Sequence, residues 1–221
     1  FRRIRSKHKW LLAHGQKKWG HFYDPRNVRQ LQTFFDHFLK GTDDAVLSWP
    51  RVRIDVRERA YVQTERAEKE WPLARQRLVP LYLDAGAGTL VATQPVAESE
   101  RRYVATDAGQ AATFDYVFPE DTEITGHMKL RLWAAAASHD DMDLFVAIQK
   151  VDRNAEVVGF HYYASFDTGP VALGWLRASH RELDVARSQP ERPVHLHRRE
   201  QRLTPGEVVP LDIEIWPSST F

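Results

Sequence analysis

Two hydrophobic periodicities divide this chain. Residues 8–13 hold an apolar run (Trp10, Leu11, Leu12, Ala13) bounded by polar residues and Gly15, too short for a helix, which predicts a short buried strand. From Pro25 the apolar residues recur every three or four positions: Val28, Leu31, Phe34, Phe35, Phe38 and Leu39. With Asp24 as N-cap, Pro25 in the first turn and Gly41 as the stop, this predicts an amphipathic helix over 25–40. Strand, loop and helix in succession is the local grammar of an α/β layer. One such unit cannot bury its own apolar face. After Gly41 the period becomes two: in "PRVRIDVRE", Val52, Ile54 and Val56 alternate with Arg51, Arg53, Asp55 and Arg57, as in a half-buried antiparallel strand. Further strands are predicted at 78–83 (Pro80 marking an edge), 103–105, 114–118, 128–135, 144–151, 157–163, 173–176 and 208–215. Turn clusters such as "DAGAG", "PEDTEITG", "SHDDMD", "DRNAE" and "TPGE" separate them, and residues 92–113 read as a long surface connection. The expected fold is mainly β: a β-sandwich, with a jelly roll as its favoured version.

Composition narrows the class. A length of 221 residues suits one large domain or one and a half smaller ones, enough to bury a substantial core. Lys and Arg total 31 against 30 Asp and Glu, so no overall field selects nucleic acid or an anionic membrane. Cysteine is absent, which excludes a disulfide framework, a thiolate nucleophile and a zinc-thiolate site, and fits a cytoplasmic location. No apolar stretch approaches the length of a membrane span, and "FRRIRSKHKW" lacks the apolar region of a signal peptide. The chain opens on Phe1 and stops just after the strand-like "LDIEIWP", so it is expected to be an excised portion of a longer polypeptide.

Several clusters offer chemistry. "RASHRELD" supplies Ser179, His180 and Asp184, the residue types of a nucleophilic triad, but neighbours in a strand point to opposite faces, so an interdomain contact is the favoured role. "SHDDMDLFV" crowds His139, Asp140, Asp141 and Asp143 without the glycine and distal glutamate of a calcium loop, and reads as a solvated hairpin turn. His195 and His197 would share one strand face, a metal-compatible spacing with no third ligand. There is no G-x-S-x-G, G-x-G-x-x-G, Walker loop or H-E-x-x-H. No cofactor or metal is expected. The basic and aromatic residues form no stripe, which argues against nucleic acid. His14 stands apart, because a histidine after a strand and before a closing helix is where an α/β-hydrolase carries its catalytic base; a structural or capping histidine fits the same residues.

The stretch "KWLLAHGQKKWGHFYDPRNVRQLQTFFDHFLKG" resembles the tail of the α/β-hydrolase domain in the X-Pro dipeptidyl-peptidases and the CocE/NonD acyl hydrolases. "PRVRIDV", "EWPLAR", "LYLDAG", "GHMKLRLWAAAASHDDMDLFVAIQKVD", "GWLRASHRELD", "RPVHLH" and "LTPGEVVPLDIEIWPSST" resemble successive landmarks of that family's C-terminal jelly roll. The resemblance implies that residues 1–44 are the last strand and helix of a hydrolase domain whose remainder lies upstream. It makes residues 45–221 a galactose-binding-like jelly roll lacking its last strands. It implies a serine hydrolase that cleaves acyl esters or X-Pro peptide bonds through an acyl-enzyme, with His14 as catalytic base and His21 in "KWGH" as its rival. The serine, the acidic partner and the oxyanion-hole groups would lie upstream of Phe1, so the chain alone is expected to be inactive. The implied partners are a small ester or peptide substrate and the upstream hydrolase domain, with "GWLRASHRELD" near their contact; Phe34, Phe35 and Phe38 leave room for a homo-oligomer. The alternative is a non-catalytic sandwich module for substrate gating, dimerisation or carbohydrate binding.

Overall fold

The computed structural model describes residues 1–162 and 166–221, and strands predominate among them. The chain opens with β1 (Leu11–Ala13), α1 (Lys18–Tyr23) and α2 (Pro25–Phe35), which widens into a π turn over Asp36–Lys40; a 3₁₀ turn, Ala45–Ser48, follows. The strands continue as β2 (Val52–Arg59), β3 (Val62–Glu68), β4 (Tyr82–Asp84), β5 (Thr89–Val91), β6 (Ile124–Ala134), β7 (Asp143–Ile148) and β8 (Lys150–Val151). Then come β9 (Val157–Val158), β10 (Phe160–Tyr162), β11 (Phe166–Gly169), β12 (Ala172–Arg177) and β13 (Val209–Thr220). Backbone contacts group the chain into two units, residues 1–76 with 123–221 and residues 77–122.

In the larger unit one sheet runs β1-β2-β13-β12-β7, with β3 on β2 and β6 on β13. Strand β13 organises it. It pairs antiparallel with β6 from Val209↔Ala134 to Thr220↔Ile124, meets β12 at Gly174↔Ile215, and runs parallel to β2 at Thr220↔Arg57. The inward rows of β6 and β13 (Leu130, Leu132, Leu211, Ile213) and of β7 and β12 (Leu144, Val146, Leu176) pack in one core. The mainly-β expectation therefore holds. Leu211 and Ile213 are fully buried, while Trp133, Phe145, Trp175 and Trp216 are exposed, as strand alternation requires. Gly174 permits the close approach of β12 to β13, since a Cβ there would collide with the carbonyl oxygen of Glu214 and lie 3.2 Å from Ile215 Cα. Gly174→Ala is therefore expected to destabilise the chain by about 1–3 kcal/mol, measured by urea unfolding.

The predicted helix forms with its signals in place. Asp24 accepts from Arg26 N at 2.8 Å, Pro25 opens the first turn and Gly41 closes the π turn. Its inner face packs on Trp10, whose ring lies 6.2 Å from Phe34 and 6.3 Å from Phe38. Val28, Leu31, Phe35 and Leu39 remain exposed. Strand β1 pairs in parallel with β2, Leu11↔Val52 to Ala13↔Ile54, so residues before and after position 44 share a sheet.

The smaller unit holds the β4–β5 hairpin, and Leu90 N donates to Asp115 O at 2.8 Å. Residues 92–113 form no strand or helix, in keeping with a surface connection. Here three expectations are corrected. Only Tyr82–Asp84 of the 78–83 region is strand, 103–105 has no strand, and 114–118 contributes a single bridge at Asp115. Pro80 offers no N–H to a ladder, and Tyr103 and Val104 are exposed instead of facing a core. In the larger unit, the predicted 157–163 strand resolves into β9 and β10, and its last residue, Tyr163, lies outside the described residues.

Candidate functional site

Strand β1 ends at Ala13 opposite Ile54, which delivers the next residues, His14 and Gly15, alongside Asp55 and Arg57 of β2. Three contacts fix this turn. Gly15 N donates to Asp55 Oδ2 at 2.9 Å, and Gly15 lies so close to the Arg57 stem that a Cβ would sit 2.7 Å from Arg57 Cγ and Cδ. Lys17 Nζ lies 3.0 Å from Asp167 Oδ1 on β11. Asp167 also accepts from Tyr61 at 3.3 Å and bonds His161 Nδ1 at 2.9 Å. The Lys17 ammonium, ahead of His161 and Tyr61, holds the Asp167 carboxyl below its usual range.

Helix α1 then turns the chain back so that His21 lies flat on His14, with ring centroids 3.6 Å apart and planes 3° from parallel. Asn27 of α2 holds His21: its Nδ2 donates to His21 O at 2.7 Å and lies 3.2 Å from His21 Nδ1. With both amide hydrogens directed at His21, Nδ1 of that ring is the acceptor and its proton resides on Nε2. His14 differs. Its Nδ1 is sealed from water and has no partner among the described residues. Burial, followed by the neighbouring His21, lowers the His14 pKa, against a smaller opposing pull from Asp55. The ring is thus held neutral near pH 7, the protonation state a general base needs. His14 lines an open cleft with Gly15, Gln16, Lys18, Arg57 and His161.

The other clusters stay apart. Ser179 is buried in a 3₁₀ turn (Ala178–His180), His180 Nδ1 lies 3.1 Å from His197 Nδ1, and Asp184 accepts from Arg187 N at 3.2 Å, so no triad assembles. Asp141 accepts from Met142 N and Ser179 N, Asp143 forms a two-pronged pair with Arg177 at 2.7 and 2.8 Å, and His139 bonds Ser138. That is a turn whose carboxylates are already matched by donors. His195 and His197 lie in no strand, His195 making only an isolated bridge with Leu183, yet their ring centroids are 5.9 Å apart; His195 donates Nε2–H to Asp212 O at 3.0 Å, and His197 has a left-handed φ of 51°. Among the described residues no group of three or more His, Cys, Asp or Glu could hold a metal ion. No helix among them is long and apolar enough to cross a membrane.

Asp55, Arg57, His161 and Asp167 were not singled out as site residues by sequence reasoning. Asp55 and Arg57 carried one signal: both occupy the outward row of "PRVRIDVRE" together with other charges, indistinguishable there from a solvated face. Nothing local marks His161 or Asp167, because only the fold returns β10 and β11 to the turn after β1.

Residues 46–220 match the X-Pro dipeptidyl-peptidase C-terminal non-catalytic domain. Two crystal structures of a CocE/NonD family hydrolase from Staphylococcus aureus are 38% identical to the chain, with TM-scores of 0.94 and 0.96 over 97% and 100% of it. The chain covers 39% and 40% of those two chains, about two fifths of their length. An aminopeptidase from the marine sediment archaeon Thaumarchaeota archaeon aligns over 92% of this chain and 35% of its own, with 18% identity and a TM-score of 0.52, a likeness of fold alone. No curated protein matches. With the matched segment running from the turn before β2 to the end of β13, the chain belongs to the X-Pro dipeptidyl-peptidase C-terminal non-catalytic domain family.

Proposed function

We propose that this chain is the C-terminal part of a serine hydrolase that cleaves acyl esters or X-Pro peptide bonds, with His14 as the base that meets a serine carried by sequence outside the chain. The serine oxygen attacks the substrate carbonyl while His14 takes its proton, then returns that proton to the departing alcohol or amine. In the second half the same ring takes a proton from the water that attacks the acyl carbon and gives it to the serine oxygen as the acyl–serine bond breaks. One observation carries this reading: His14 lines an open cleft, with its ring kept neutral by burial. The structural likeness to the Staphylococcus aureus CocE/NonD hydrolase extends over the His14 turn as well as the sandwich.

Fluorophosphonate labelling tests it. The full-length protein is expected to label stoichiometrically, and this 221-residue chain alone is expected not to label. Stoichiometric labelling of the isolated chain, or a full-length protein inert to the reagent, overturns the proposal. A second reading, a sandwich module that binds carbohydrate, draws on the exposed Trp175 and Trp216, whose ring centroids lie 4.7 Å apart. A reading frame carrying G-x-S-x-G upstream favours the first reading, and a start codon close to Phe1 leaves the second.

A further inference from the structure

The cleft beside His14 carries an arrangement that the hydrolase reading does not use. Arg57 stands in its wall, held from behind: Nε donates to Ser219 O at 3.2 Å, Nη2 donates to Val171 O at 2.9 Å and to Ser218 Oγ, and the guanidinium lies 4.7 Å from the centroid of the Phe160 ring. Nη1 has no acceptor among the described residues and is not sealed from water. The nearby carboxylate, Asp55, is engaged by Gly15 N, and Asp167 is engaged by Lys17, Tyr61 and His161. Neither acid lines the cleft, whereas Lys18 does. His161 completes the wall, its Nδ1 held by Asp167 and its Nε2 buried without a partner. A fixed cation with one free nitrogen, a second cation and an unsatisfied imidazole nitrogen describe a place for an acceptor of negative charge.

We propose that this cleft is an anion subsite in which Arg57 and Lys18 hold the carboxylate of a small-molecule substrate beside His14. A carboxylate fits better than a phosphate. With Nε and Nη2 engaged, Arg57 offers one nitrogen instead of a fork, and the backbone N–H of Gly15 is already donated, so the additional donors that three phosphate oxygens demand are missing. That the anion belongs to a substrate rests on the hydrolase reading; the binding itself does not.

The test uses the 221-residue chain with glutarate, neutral glutaramide and inorganic phosphate as probes, followed by calorimetry and by the imidazole signals of His14 and His161 at low salt. Glutarate is expected to bind and shift both imidazoles, glutaramide to do neither, and phosphate to bind more weakly than glutarate. Lys18→Glu is expected to weaken glutarate at least about fivefold, and Arg57→Gln more than that. Because Arg57 also supports the fold, Lys18→Glu, a change to an exposed side chain, decides the matter if Arg57→Gln fails to fold. Glutaramide binding as well as glutarate, phosphate binding more tightly, Lys18→Glu without effect, or no binding at all each overturns the proposal. Fluorophosphonate labelling of the full-length protein reads the hydrolase proposal separately.

Discussion

Replacing His14 by alanine in the full-length protein is expected to lower turnover by about three to six orders of magnitude, the range seen when a triad base is lost, with little change in KM. His21→Ala is expected to cost about tenfold or less. The two rings are stacked at 3.6 Å, so proximity to the cleft cannot separate them; their hydrogen bonds can. A triad histidine needs a proton on Nδ1, directed at a carboxylate, and a lone pair on Nε2, directed at the serine. Asn27 gives His21 the opposite tautomer, whereas His14 Nδ1 is unengaged. His21→Ala should still be felt, because it removes the ring packed against His14 and one contribution to its lowered pKa. A large loss in His21→Ala beside a small one in His14→Ala would reverse the assignment.

The second large effect is on stability. Leu211→Ala is expected to destabilise the chain by about 3–5 kcal/mol, seen as a lower urea midpoint at unchanged slope. Leu211 is fully buried near the start of β13, opposite Leu132 of β6 across the ladder and in one core with Leu144 and Leu176, so a cavity there has no solvent side toward which to collapse. Leu31 on α2 is a useful control: it is also a large apolar residue in a strongly periodic element, yet it is 41% exposed, and Leu31→Ala is expected to cost less than about 1 kcal/mol in this chain.

How these elements could be read from sequence follows from their physics. The helix from Pro25 was legible because its cap, its proline and its apolar stripe are local and agree with one another. Strands β6, β7, β12 and β13 were legible because each puts an alternating row of large apolar residues into one core, and β2 because buried Val52 and Ile54 alternate with charged residues. Strand β3 was missed. Its sequence, "VQTERAE", is almost wholly polar, and it exists because β2 offers it a ladder from Arg59↔Val62 back to Val52↔Glu68. Helix α1 was missed because "KWGHFY" has neither an apolar stripe nor a capping side chain. In the smaller unit the apolar residues at 103–105 mimicked a strand, but no partner edge reaches them. Of the site, His14 could be picked from its setting after a strand and before a helix, and His21 only through the family resemblance. The groups that fix their turn, Asp55, Arg57 and Asp167, could not, since Asp167 is brought to Lys17 across 150 residues of chain by tertiary folding alone.

The central claim is that the turn after β1 supplies the histidine of a serine hydrolase. It is tested most directly by the crystal structure of the full-length protein with a fluorophosphonate covalently bound to its serine. The claim predicts His14 Nε2 at about 2.6–3.2 Å from the modified serine oxygen, with His14 Nδ1 hydrogen-bonded to a carboxylate. His21 in that position, or a labelled serine remote from both rings, would contradict it.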